Sequence, residues 1–325
     1  MTSRPFPILF IAPSRIGDAV LASGLVKVLA DRIPQARFTF VGSDLTAPLF
    51  ADAPALDGLI AMEKRPLSQH WLGLWSKARA VRWGLIVDLR GGAISSFLRR
   101  SRRAVWRKSG VHEHKVMEVA RLLDLADDPP WPFLFTAHET EARAESLTAG
   151  TGPILAIAPA ANWIGKAWPA ERFAAVARRL LGRGGPLDGG RLMVLGGAAD
   201  RDAANTVLAA VVGQRQIDLA GREPLLVSYA ALKRARLFIG NDSGVMHLAA
   251  AAGIPTLGLF GPSDEQVYGP WGDRAKAVRG PRPFSAFVDI DPTLSRPVCH
   301  MSDLSIGAVI EAAELLLTHP EARDA

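Results

Sequence analysis

One cysteine, Cys299, stands in 325 residues, so neither an intrachain disulfide nor a cysteine-built zinc site is available. A reducing compartment is the expected setting. Long apolar runs are missing too: nowhere do about 18 apolar residues follow one another without a charge or a break, which argues against a bilayer-spanning helix. The apolar stretch near the start is bracketed by Pro7 and Pro13 and followed at once by Arg15 and Asp18, which is not the form of a cleavable signal. A soluble or peripheral protein is the expectation. The sequence also lacks a Walker phosphate loop, a G-x-S-x-G elbow, a complete G-x-G-x-x-G and any solenoid repeat. His112, Glu113 and His114 do not have the helical spacing of a zincin. The Asp-x-Asp pairs at Asp289/Asp291 and Asp200/Asp202 have a spacing common in loops and are not read as metal sites.

What remains is ordinary globular composition, with 49% hydrophobic and 22% charged residues. The length favours about two domains. Charge is divided unevenly between them. The whole chain is +6, but residues 1–122 hold 19 Lys+Arg against 9 Asp+Glu, a net +10, and the rest holds 19 against 23, a net −4. The first part should therefore attract anions. Its densest basic stretch, LRRSRRAVWRK at 98–108, carries Arg99, Arg100, Arg102 and Arg103. It reads either as a solvated helix face or as a contact for phosphate, an anionic lipid surface or nucleic acid.

Short apolar runs alternate with helical-period segments, the signature of parallel strands joined by crossover helices. PILFIA (7–12), RFTFVG (37–42) and LIVDLR (85–90) read as strands of a first series, with a helix over 20–32. ILAIAP (154–159), RLMVLGG (191–197), LFIGND (237–242) and TLGLFG (256–261) form a second, closed by a helix over 303–319. A polar helix and a Gly-rich break over 138–153 separate them, giving α/β domains over 1–150 and 151–325.

Ligands of such sheets bind at the carboxyl ends of strands, and four loops there carry candidate chemistry. In APSRIGDAV (12–20), Asp18 is either a helix cap or a carboxylate directed at a ligand. In the string from 239 to 264, a helix start around Asp242, Ser243 and Gly244 favours a phosphate, and His247 lies one turn on. In 158–173, Lys166 offers a point charge beside a helix starting near Pro169, although an exposed, solvated lysine is the plainer alternative. In 195–202, Asp200 suits a ribose hydroxyl or a plain cap.

As a set, NDSGVMHLAAAAGIPTLGLFGPSD (241–264), RIGDAVL (15–21), KAWP (166–169), IDLAGREPLL (217–226) and CHMSDLSIGAVIEAAELL (299–316) resemble glycosyltransferase family 9. The resemblance implies the GT-B arrangement, two Rossmann-like domains facing a cleft, and inverting transfer from a nucleotide-activated sugar, here an ADP-heptose or related donor. Asp18 matches the family's proposed catalytic base. Lys166, with Asp242, Ser243, Gly244 and His247, matches the diphosphate site, while Asn162 and Asp200 match further donor contacts. The basic first domain, with Arg15 and the four arginines of 99–103, would then face an anionic lipopolysaccharide-type acceptor. No metal or other cofactor is required in this arrangement and no nucleic acid is expected as partner. The place of work would be the cytoplasm, peripheral on the inner face of the membrane. The helix after Asp18 reads LASGLV where the family often has proline. Two other readings stay open: a nucleotide-sugar epimerase of the same fold, and a nucleic-acid-binding protein using the basic stretch.

Overall fold

The computed structural model describes residues 4–63 and 69–318, and the chain divides into two compact units after Ala137. The first contains β1 (Phe6–Ile11), α1 (Ile16–Leu21), α2 (Gly24–Arg32), β2 (Ala36–Gly42), β3 (Leu56–Ala61), α3 (Gln69–Ala78), β4 (Trp83–Asp88), β5 (Arg100–Val105) and α4 (Lys115–Ala120). The five strands form one sheet in the order β3-β2-β1-β4-β5, with every pairing parallel. Alternate residues of β1 supply opposite faces. Leu9 and Ile11 pack with Ile86, Leu74 and Ala78 on one side, while Phe10 meets Phe40 and Phe50 on the other.

The expected helix over 20–32 is in fact two helices, α1 and α2, with the break at Ala22 and Ser23. Buried Ser23 donates its hydroxyl to Val20 O at 2.6 Å and accepts from Phe133 N at 2.9 Å. The segment carrying Phe133 passes so close that a Cβ on Gly24 would lie 2.4 Å from Trp131 O. Gly24 is therefore set by a backbone approach. The arginine-rich stretch is likewise no helix: Arg100 to Val105 pair with Trp83 to Asp88 as an edge strand. An edge strand keeps much of its side-chain surface in water, so charge is tolerated, and it repels pairing by another chain.

The second unit holds α5 (His138–Leu147), β6 (Ile154–Ala158), α6 (Ala170–Leu181), β7 (Arg191–Val194), α7 (Arg201–Leu208), β8 (Gln216–Asp218), α8 (Leu225–Leu232), β9 (Leu237–Asn241) and α9 (Gly244–Ala251). It continues with β10 (Thr256–Phe260), α10 (Glu265–Tyr268), β11 (Ala275–Arg279), α11 (Phe284–Ile290) and α12 (Ile306–Thr318). Position 319, included in the expected terminal helix, lies outside the described residues. The sheet order is β11-β10-β9-β6-β7-β8, again wholly parallel. Its core joins Leu155, Ile157, Ile239 and Leu259 to Phe173, Val176 and Leu180 of α6 and to Val309 and Ala313 of α12. Each such side chain contributes roughly 1.5–3 kcal/mol on burial.

The structural division falls thirteen residues before the boundary expected at 150/151. Helix α5 belongs to the second unit because Glu141 pairs with Lys233 and Arg234, and Arg143 with Glu223. No helix among the described residues is long and apolar enough to cross a membrane.

Candidate active site

In each sheet the chain starts near the middle and winds outward in both directions, so each has a topological switch point, the place where open α/β sheets take ligands. In the second unit this point lies between β6 and β9. Both strands are wholly buried, and the loops leaving their carboxyl ends carry Lys166 and Asp242.

Asn241, the last residue of β9, fixes the two loops together. Its Nδ2 donates to Pro159 O at 2.8 Å and its Oδ1 accepts from Trp168 N at 3.0 Å. Trp168 is buried edge-on against Phe173, 5.0 Å between ring centroids, and its indole N–H donates to Leu304 O at 3.0 Å. Between these anchors, a 3-10 turn over Ile164–Lys166 turns tightly under the Trp163 ring, where a Cβ on Gly165 would lie 2.4 Å from the ring. Trp163 donates to Arg296 O at 3.1 Å.

Held in this way, Lys166 Nζ lies 2.5 Å from Asp242 Oδ2. It is not the freely solvated lysine of the plainer reading: its side chain is 26% exposed and that of Asp242 only 7%. Asp242 N in turn donates to Leu259 O at 3.2 Å. Ser243 is the N-cap of α9 in extended conformation, yet its hydroxyl caps nothing and is buried without a hydrogen-bond partner among the described residues. The first-turn N–H groups of α9, from Gly244 onward, therefore point at a partly open surface carrying the positive end of the helix dipole. His247 is buried one turn below. A lysine paired with a carboxylate, a hydroxyl and the first-turn backbone donors of a helix thus stand together at this switch point, donor chemistry of the kind that suits a phosphate-type anion.

Asp200 has a local role. It accepts from Gly197 N at 2.7 Å and closes the 3-10 turn Ala198–Asp200, which is the plain capping alternative. Asn162 is exposed on the Lys166 loop. Pro169 occupies the N-cap of α6 rather than its first helical position. Among the described residues, no three His, Cys, Asp or Glu side chains gather as a metal site.

In the first unit the switch point lies between β1 and β4. Asp18 follows β1 as a half-buried member of the first turn of α1, whose N-cap is Arg15, so the helix begins before Asp18 and Asp18 is not its cap. Exposed Arg15 makes no side-chain cap bond. After β4, fully buried Asp88 accepts from Ser95 Oγ at 2.6 Å and Arg90 N at 3.0 Å. Arg90 stacks over Trp71 at 4.9 Å, and burial pulls its guanidinium below the ordinary value against the opposing charge of Asp88. Arg103 is committed to Ser95 and Ser96, and Arg100 to the carbonyls of Ser96 and Leu98. Arg99 and Arg102 are exposed. Sequence reasoning did not single out Asn241, Trp168 or Asp88. The first was legible only as a polar residue ending a buried strand.

Two compact units, each a parallel α/β sheet with a topological switch point, define a two-domain Rossmann-like protein. Residues 73–292 match the family model described as glycosyltransferase family 9 (heptosyltransferase), and the chain belongs to that family. Lipopolysaccharide heptosyltransferase 2 of Salmonella typhimurium is 26% identical over 314 residues, covering 84% of this chain and 87% of the relative. The solved ADP-heptose lps heptosyltransferase II of E. coli superimposes with a TM-score of 0.75 at 22% identity, covering 98% of this chain and 100% of that one. E. coli heptosyltransferase WaaC with ADP gives 0.72 at 16%, covering 96% and 100%. The protein is a glycosyltransferase of the GT-B fold class.

Proposed function

We propose that this enzyme transfers a heptose, or a related sugar, from an ADP-sugar to an anionic lipopolysaccharide-type glycolipid, with inversion at the anomeric carbon. The observation that carries the reading is the cluster of Lys166, Ser243 and the α9 terminus at the second switch point, which fits a diphosphate. The ADP in the WaaC neighbour and the heptosyltransferase relatives supply the donor class. In this reading residues 151–325 serve the donor, with Asn162 and Asp200 toward the nucleoside, and residues 1–150 serve the acceptor, with Arg15, Arg99 and Arg102 as anion contacts. Work at the inner face of the cytoplasmic membrane follows, because a water-soluble donor there meets a lipid-anchored acceptor.

The acceptor hydroxyl oxygen attacks the anomeric carbon and forms the new glycosidic bond. Its proton passes to the Asp18 carboxylate, acting as general base. The anomeric carbon–phosphate oxygen bond breaks on the opposite face, and its electron pair leaves with ADP. Lys166 and the α9 donors offset the charge that builds on the diphosphate, so the reading requires no metal ion.

Purified enzyme incubated with ADP-heptose and a lipid A-type acceptor tests it by mass spectrometry. The acceptor should gain one heptose for each ADP released. Conversion of the sugar nucleotide without acceptor would instead make the chain an epimerase.

A further inference from the structure

The two most exposed large apolar side chains among the described residues are Phe97, at 71%, and Leu72, at 68%. Both stand in the first unit. A groove of about 400 Å³ is lined by Trp75, Arg79, Ala80, Phe97 and Arg99. Leu72 and Trp75 lie at i and i+3 on α3 and share one flank of that helix, beside the face that buries Leu74 and Ala78, and Arg79 follows the last residue of α3 with its N–H donating to Trp75 O at 2.9 Å. The Arg79 guanidinium lies over the Trp75 ring at 4.8 Å. Arg82 is exposed where Trp83 N donates to Arg99 O at 2.9 Å, which brings a third arginine to the same end of the sheet. None of the three pairs with a carboxylate among the described residues.

Aromatic and aliphatic tips standing out of a rim of unneutralised arginines match the chemistry of a bilayer interface, where rings enter the headgroup level and guanidinium groups meet lipid phosphates. We propose that the surface formed by Leu72, Trp75, Arg79, Arg82, Phe97 and Arg99 docks the first unit onto an anionic phospholipid bilayer. Nucleic acid fits less well: Leu72 is an aliphatic tip with no base-stacking face, and the groove is short beside an extended strand-binding channel. The docking surface extends the membrane-face part of the proposed function and shares Arg99 with its acceptor side, but its test is separable, since vesicle binding and ADP binding can each fail while the other stands.

The test is sedimentation of the full chain with vesicles of phosphatidylcholine alone and of phosphatidylcholine with about one part in three phosphatidylglycerol, alongside a duplex DNA of mixed sequence. The variants are Arg79→Ser/Arg82→Ser and Leu72→Ser/Phe97→Ser. All four positions are exposed, and far-ultraviolet circular dichroism with the urea midpoint reports that each variant is folded. The wild type should bind the anionic vesicles and not the neutral ones, and each double variant should lose about tenfold or more in partitioning. Equal binding of wild type and both variants to the anionic vesicles would overturn the proposal. So would absence of vesicle binding by the wild type, or loss of DNA binding with vesicle binding unchanged.

Discussion

Lys166 Nζ and Asp242 Oδ2 stand 2.5 Å apart at the switch point of the second sheet, joining a loop from β6 to the residue that follows β9. The pair fixes the lysine at the strand ends and keeps a buried carboxylate from standing alone. Removing one partner leaves the other charge uncompensated, which costs more than losing the contact. Lys166→Ala should therefore destabilise the fold by about 1–3 kcal/mol, below the fully buried case because the lysine is 26% exposed. Lys166→Met/Asp242→Asn should recover most of that loss in urea unfolding while leaving ADP binding impaired. Separate roles in folding and in ligand binding predict that split.

Asp18 gives the second prediction. As a half-buried carboxylate in the first turn of α1, it adds about 0.3–1 kcal/mol through the helix dipole. In the proposed mechanism it is the general base and controls far more of the rate than of the stability. Asp18→Asn should lower turnover by about 10²-fold or more, with ADP affinity within a few-fold and stability within about 1 kcal/mol. Turnover close to wild type would reduce Asp18 to a structural carboxylate.

The third concerns pH. The hydrogen bond from Arg282 holds the Asp303 carboxyl below its ordinary value, and that from Arg279 does the same for Glu265. At Asp218 burial pushes upward, but the Arg201 hydrogen bond and the Arg222 charge prevail and hold it low. A depressed carboxyl binds fewer protons folded than unfolded, so stability rises with pH through this range. The contribution is complete above the ordinary carboxylate values of about 4 and is lost as pH falls through the depressed ones. Urea midpoints measured from about pH 6 downward should be flat and then fall steeply below about pH 4, and Arg282→Gln should make that acid loss smaller. A fall already evident near neutrality would contradict this assignment.

The central strands were legible because they are buried on both faces, as the unbroken apolar letters of Ile8 to Ile11, Leu155 to Ala158 and Leu257 to Phe260 display. The edge strands β3, β5 and β11 leave side chains in water, so β3 and β11 carry no unbroken apolar run and β5 reads as a charged helix face. The edge strand β8 is only three residues long. The family resemblance put Lys166, Asp242 and Ser243 at one diphosphate site, and the structure sets Lys166 against Asp242. Sequence alone showed no sign of Asn241 as the fastening between β6 and β9, since both its bonds reach across more than seventy residues. The same holds for Gly24, whose reason is the backbone of Trp131, and for Arg103, whose hydrogen bonds to Ser95 and Ser96 tie a candidate anion contact to neighbouring hydroxyls.

The most direct measurement is a calorimetric titration of the wild type and Lys166→Ala with ADP and with adenosine, in the absence of divalent metal. Wild type should bind ADP, and Lys166→Ala should lose about tenfold or more in ADP affinity, as expected for a charged phosphate contact, while adenosine affinity changes less than about twofold. No binding of ADP by the wild type, or equal losses for ADP and adenosine, would contradict a diphosphate site built on Lys166.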